Sequence, residues 1–194
     1  LPIVLVWPSY FINMLSNFIE SNKIDIVLNL IHGSGGEDGL VQNYLDRLSV
    51  KYIGSNSDAS KLSFNKVDTK ETWLKDGLNT PNYLRLSKNV SSKKIETIFD
   101  QKFILKPCES GSSVGIKIFN TADFYSLSSS DILEKLSLNS INPYDYFIEE
   151  FIIAPEYTAP IVDNQVFPII KIETKREFYN YEAKYLDNDT VFSF

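Results

Sequence analysis

The sequence predicts a mixed fold, α/β at its start and α+β beyond. Three observations carry this. Ile24–Ile31 is a short run rich in branched apolar residues that ends at the glycine-rich loop His32-Gly-Ser-Gly-Gly-Glu-Asp-Gly39. Leu40, Tyr44, Leu45 and Leu48 then recur at helical spacing ahead of a second strand-like segment, Lys51–Gly54. Further on, Lys102–Lys106 and Val114–Phe119 flank Gly111-Ser-Ser113 as the arms of a β-hairpin.

The elements follow in order. Leu1–Trp7 is too short for a membrane span and has no cationic lead, so it is expected to be a strand rather than a signal peptide. Ile24–Ile31 is expected to be a buried parallel strand, joined through a helix to Lys51–Gly54. Such a strand–loop–helix–strand unit places ligands beyond the carboxyl end of its strand, where His32–Gly39 lies. Ser57 or Asp58 is expected to cap a helix through Phe64, and a second helix runs from about Lys66 to a stop near Gly77. Pro81 opens an extended stretch, and Thr121 is expected to cap a helix reaching about Ser137, with Ser126–Ser130 on its surface. Tyr146–Ile152, Glu156–Val162 and Val166–Ile172 read as strands, two of them demoted to edges or bulges by Pro160 and Pro168.

At 194 residues, 43% of them hydrophobic, the chain can bury a core in one or two domains. A net charge of −6 argues against nucleic acid or an anionic membrane as partner. Phosphate binding needs only a local cluster of cations and N–H groups, so it stays open. The single cysteine, Cys108, allows no intrachain disulfide, fits a reducing compartment and is expected to be a bystander. The chain has no starting methionine and stops just after Val191, so it is expected to be part of a longer protein.

Several residue groups could carry chemistry. Ser112 and Ser113, with the adjacent glycines, offer hydroxyls and closely spaced N–H donors to phosphate oxygens. Lys106, at the end of the incoming arm, can reach the same oxygens. Taken alone, the glycines need only permit a turn. The loop is not a Walker A motif, since no Lys-Ser/Thr pair follows the glycines, and it lacks dinucleotide-site spacing. Lys66, alone, would be a solvated lysine at a helix start. Glu149 and Glu150 should point to opposite faces of a strand. His32, the only histidine, either ties down its own loop or meets a ligand with Glu37.

Three segments in this order, His32–Gly39, Lys106–Gly115 and Phe178–Tyr185, with Lys66 and Glu149-Glu150 between them, resemble the D-alanine–D-alanine ligases of the ATP-grasp superfamily. The resemblance covers nearly all of this chain. It implies a partial Rossmann-like substrate domain over 1–64, a small ATP-grasp subdomain over 65–147, and the start of a larger subdomain over 148–194, truncated at its C-terminus. It implies ATP binding by Lys66, Lys106, Ser113, Glu149, Ile152, Glu156, Phe178 and Lys184, with Glu150 a weaker candidate. Glu149 and Ile152 would meet the adenine, Glu156 the ribose and Lys184 the γ-phosphate. Ser112 would bond Tyr185 to close the site, and His32 with Glu37 would position or deprotonate the incoming amine. The family has methionine and aspartate where this chain has Phe64-Asn65, and aspartate where it has Asn180.

The implied reaction joins two D-alanine molecules at the expense of ATP, through a D-alanyl phosphate, for peptidoglycan precursors. Tyr185 favours an amine acceptor, because related ligases that make D-alanyl-D-lactate carry phenylalanine there. Mg²⁺ ligands are expected outside this chain, which by itself is expected to be inactive. Family resemblance further implies a homodimer in the bacterial cytoplasm. Three alternatives stay open: a ligase for another acceptor such as D-serine, a nucleotide-binding module that has lost catalysis, and a non-enzymatic interaction domain.

Overall fold

The computed structural model describes residues 9–111, 113–174 and 190–194. They fall into two compact units, Leu1–Thr69 and Lys70–Phe194. Leu1–Trp7 lies outside the described residues, so its strand is not tested.

In the first unit, α1 (Ser9–Asn22) precedes β1 (Ile26–Leu28), α2 (Leu40–Arg47) and β2 (Lys51–Ile53). β1 and β2 pair in parallel, Val27 opposite Tyr52, as the βαβ reading expects. Ile19, Val41 and Leu45 form the core here, with Val27, Ile31, Leu48 and Tyr52 packed against it. The expected burial of the first strand needs correcting. Ile26 and Leu28 are 55% and 59% exposed, and only Val27 between them turns inward. A two-stranded sheet has one packed face, so alternate residues of its strands face water.

α3 (Ser57–Phe64) is capped one residue earlier than expected: Asn56, not Ser57 or Asp58, accepts the Ala59 N–H at 2.8 Å. The chain turns extended at Asn65, whose Oδ1 accepts from Val67 N and Asp68 N at 3.1 and 3.2 Å. Asn65 thereby caps α4 (Lys66–Lys75). Asparagine and aspartate cap equally well, so Asn65 at this place is locally conservative. α4 stops as expected. Gly77 has φ +76°, its N–H bonds Leu74 C=O at 3.2 Å, and Leu78 N–H bonds Trp73 C=O at 2.8 Å. These two bonds are a Schellman closure.

The second unit is built on a four-stranded antiparallel sheet. β3 (Tyr83–Arg85), β4 (Lys102–Pro107), β5 (Lys117–Asn120) and β6 (Tyr146–Glu150) lie in the order β3-β6-β4-β5. One face carries Leu84, Phe103, Leu105, Phe119, Tyr146 and Ile148. It packs against α5 (Ser92–Ile98), the 3₁₀ turn Thr121–Phe124 and α6 (Ser129–Lys135), through Ile95, Phe124 and Ile132. Phe103 is at the centre, its ring 5.5 Å from Phe99, 5.7 Å from Phe119 and 5.0 Å from Phe124.

The single helix expected from Thr121 to Ser137 is instead this 3₁₀ turn and a separate short α-helix. Ser126 takes a left-handed φ of +59°, which no helix interior allows. Ser128 then starts afresh with a capping box: it accepts from Asp131 N, and Asp131 accepts from Ser128 N. Serines at 126 and 128 break and restart the helix, and do not line its surface.

A second sheet follows. β7 (Glu156–Thr158), β10 (Ile170–Glu173) and β11 (Val191–Ser193) run antiparallel in the order β11-β10-β7. Between them β8 (Ile161–Val162) and β9 (Gln165–Val166) form a hairpin across Asp163 and Asn164, both left-handed. Each of two expected strands is thus divided near its proline, at Pro160 and at Pro168. Among the described residues no helix is long and apolar enough to cross a membrane.

Candidate functional site

Strand alternation gives the four-stranded sheet a second face of different character. Tyr83, Arg85, Ile104, Lys106, Phe147 and Glu149 share it. Glu149 sits in the middle, opposite Tyr83 on one side and Ile104 on the other, and is only 6% exposed. A carboxylate buried to that depth demands cations. It has two. Lys106 Nζ donates to Glu149 Oε1 at 2.5 Å, and Lys70 Nζ, from α4, pairs with Oε2. Glu150, next in the strand, points to the other side as alternation requires and accepts from Asn82 Nδ2 at 3.3 Å.

The two lysines differ. Lys70 is buried, and its ammonium also donates to Thr80 Oγ1 at 2.5 Å and to Pro81 C=O at 3.2 Å. Three donors meet three acceptors, with the Tyr83 ring centroid 5.3 Å away. Lys106 is 24% exposed, and Glu149 is the partner its Nζ shows among the described residues. With both lysines charged and the glutamate ionised, the cluster carries one surplus positive charge at the half-open lysine.

Beyond β4 the hairpin connection leads back to β5. Cys108 is buried there, its N–H bonded to Asp145 C=O at 2.8 Å, which suits the bystander role. Gly115 has φ +75°, and a Cβ on it would sit 3.0 Å from Pro107 Cγ, so the loop needs glycine at this point. Ser113 is half-buried with φ +59°. Ile152, just past β6, is 51% exposed, and Glu156 opens β7 exposed.

The first unit holds its own candidate group. In the His32–Gly39 loop, Glu37 Oε2 accepts from Gly33 N at 2.6 Å, and its Oε1 lies 3.8 Å from His32 Nδ1. Asp38 accepts from Ser34 Oγ, Gly35 N and Leu40 N. Gly36 C=O takes two side-chain donors, Asn29 Nδ2 at 2.7 Å and Gln42 Nε2 at 2.8 Å. A Cβ on Gly36 would lie 2.2 Å from Ile31 C=O, so only glycine fits. This network fixes the loop and leaves the His32 imidazole 76% exposed, beyond the carboxyl end of β1. Lys66, also in this unit, is half-buried at the first position of α4.

Of the expected site residues, the structure therefore joins Lys106 to Glu149 and His32 to Glu37. Ser112, Phe178, Lys184 and Tyr185 lie outside the described residues. Lys70 is the residue the sequence reading missed. A signal was present: it follows Lys66 by four residues, and like charges at that spacing in a helix repel unless an anion faces one of them. Among the described residues no group of three or more His, Cys, Asp or Glu could hold a metal, so Mg²⁺ is assigned to none of them.

An antiparallel sheet with helices over one face is the plan of an α+β domain. Comparison with known proteins makes that class specific. Residues 72–194 match the family model described as D-ala D-ala ligase C-terminus, and the chain belongs to that family. It is 34% identical over 184 residues to D-alanine–D-alanine ligase B of Xanthomonas campestris, covering 92% of this chain and 55% of that protein. A D-alanine–D-alanine ligase of Pseudomonas putida is 34% identical over 176 residues, with 90% and 52% covered. The chain spans about half the length of the curated relatives it matches. Among solved structures, the D-alanine–D-alanine ligase of Bacillus anthracis superposes with TM-score 0.69 at 31% identity, covering 92% of this chain and 57% of that one. The same enzyme complexed with ATP gives TM-score 0.66 at 26% identity, covering 92% and 55%.

Proposed function

We propose that the protein to which this chain belongs is an ATP-dependent D-alanine–D-alanine ligase. The observation that carries this is the Lys70–Glu149–Lys106 cluster on the charged sheet face of a chain from this family. A surplus cation beside a glycine-containing hairpin suits a polyphosphate.

In the proposed reaction the carboxylate oxygen of one D-alanine takes the γ-phosphoryl group of ATP, and ADP leaves. The amine of a second D-alanine attacks the resulting acyl carbon. The C–O bond to phosphate breaks, inorganic phosphate departs, and the amine proton passes to a base. Lys106, with Lys66, Ser113 and Lys184, would offset charge on the transferring group. Glu149 and Ile152 are assigned to the adenine, Glu150 more weakly, Glu156 to the ribose and Phe178 to packing on the base. Ser112 and Tyr185 close the site, which must exclude water or the acyl phosphate hydrolyses. His32 with Glu37 positions the second amine. The exposed imidazole beyond β1, with Glu37 as its neighbour, supports this.

We read the first unit as part of a Rossmann-like domain, supported by the parallel β1–β2 pair with α2 as crossover. The division at 1–64, 65–147 and 148–194, the homodimer, Mg²⁺ as a cofactor and the cytoplasmic location belong to the same proposal.

The test is phosphate release by the intact protein with ATP, MgCl₂ and D-alanine, beside Lys106→Ala. D-alanine-dependent turnover, cut at least about a hundredfold in the variant, is the expected result. No turnover with any D-amino acid, alongside ATP binding that needs Lys106, would make the protein a nucleotide-binding module instead.

A further inference from the structure

We propose that Lys70 is a positioning residue of the nucleotide site: it holds Glu149 from a buried place and so leaves Lys106 transferable to phosphate. This rests on the nucleotide-binding reading above.

The geometry separates the two cations. Lys70 is 5% exposed and its three donors are all taken, by Glu149, Thr80 and Pro81. It cannot follow a ligand without abandoning three acceptors in a dry place. Lys106 is more open, sits where β4 runs into the hairpin, and shows one bond among the described residues. It can exchange a shared carboxylate oxygen for a phosphate oxygen.

Charge explains why Lys70 is needed. If Glu149 had only Lys106, the pair would be neutral and Lys106 would be held by a whole carboxylate. Any phosphate would then have to strip it away and leave a buried anion uncompensated. With Lys70 on Oε2, Glu149 stays neutralised when Lys106 departs, and the cluster keeps one positive charge for the ligand. Lys70 thus acts through Glu149 and Lys106 and need not touch the substrate.

The test is titration calorimetry on the intact protein with ATP and with tripolyphosphate, which has no base to confuse the reading. Lys70→Met makes the cluster neutral, and tripolyphosphate affinity is expected to fall about tenfold. Lys70→Met combined with Glu149→Gln returns one surplus charge, and affinity is expected to recover to within about twofold of the parent. Lys70→Arg, which keeps the charge, should hold most of it. A purely structural role for Lys70 predicts no recovery in the double variant, since that variant removes one more polar partner. Such a result, or an unchanged Lys70→Met, overturns the inference and leaves the nucleotide reading standing. ATP binding without tripolyphosphate binding by the parent also overturns the inference alone. If the parent binds neither, both fall.

Discussion

The two larger sheets of the second unit have the same antiparallel pairing and opposite surroundings. In β3-β6-β4-β5 one face is closed by helices that come from the same stretch of sequence, and Phe103, Leu105 and Ile148 are almost wholly buried. In β11-β10-β7 every residue of β7 is exposed, and Tyr157, Val191 and Phe192 stand 58%, 57% and 55% open. Pairing alone does not make a core. A sheet gains stability from the layer laid on it, and where that layer is local, the sheet and its site are fixed together.

The largest effect that would break this contrast is a core truncation. Phe103→Ala is expected to cost about 3–5 kcal/mol, because a ring touching three others is removed and the helices close over it only partly. Phe192→Ala, on the open sheet, should change stability by about 0.5 kcal/mol or less. Urea unfolding of both variants decides the matter. Equal losses would mean that the second sheet has a covering layer of its own.

The same contrast governs what the sequence disclosed. The pairing of the two hairpin arms, the parallel pair and the Gly77 stop were legible because each rests on local chemistry: alternation, branched apolar runs, a glycine with positive φ. The outgoing arm, though, starts at Lys117 and not at Val114, because Ser113 and Gly115 hold left-handed φ in the turn. Opposite faces for Glu149 and Glu150 followed from the strand period alone. Caps were harder. Asn56 and Ser128 won over Ser57, Asp58 and Thr121, and neighbouring serines and asparagines compete for the same N–H groups, so spacing cannot rank them. For Lys70 the like charge four residues earlier hinted at an anion, but which anion was illegible, since Glu149 lies 79 residues on (149 − 70) and only the fold brings it to the helix.

A cap tests the covering layer more gently than a core ring. Ser128→Ala removes the acceptor for Asp131 N at the start of α6, whose Ile132 is buried against the four-stranded sheet. About 1 kcal/mol should be lost in the same urea experiment. Glu134→Ala, exposed on the same helix and clear of the cap, is the control and should lie near zero. If the two match, α6 contributes little to the layer.

The hairpin inserted between β7 and β10 of the open sheet can be improved locally, by a smaller amount. Asp163 and Asn164 take φ of +49° and +62° at the β8–β9 turn, where glycine at the second place relieves the Cβ. Asn164→Gly is expected to stabilise the hairpin by about 0.5 kcal/mol. Amide exchange of the flanking strands should slow, with β4 and β6 unchanged. Slowing in both sheets would show that they unfold as one unit.

The finest discrimination comes from one titrating group on each sheet. Tyr83 is pushed above its ordinary value of 10.0, mainly by burial and next by the Glu71 charge, with Arg85 opposing. Lys171 is raised above 10.5 chiefly by its hydrogen bond to the exposed Glu173 on β10. Both native states favour the protonated form, so each group's contribution is present below its unfolded pKa and is lost as pH rises through the folded one. Salt separates the causes. A charge-assisted bond in water is screened, whereas desolvation is not. NMR titration at about 1 M salt should therefore return Lys171 toward its ordinary value and leave most of the Tyr83 shift in place. Glu71→Gln should lower the Tyr83 pKa but leave it raised, because burial is the larger cause. If salt removes both shifts alike, the charged face of the four-stranded sheet is as wet as β10, and the closed-versus-open contrast fails on the side that carries the site.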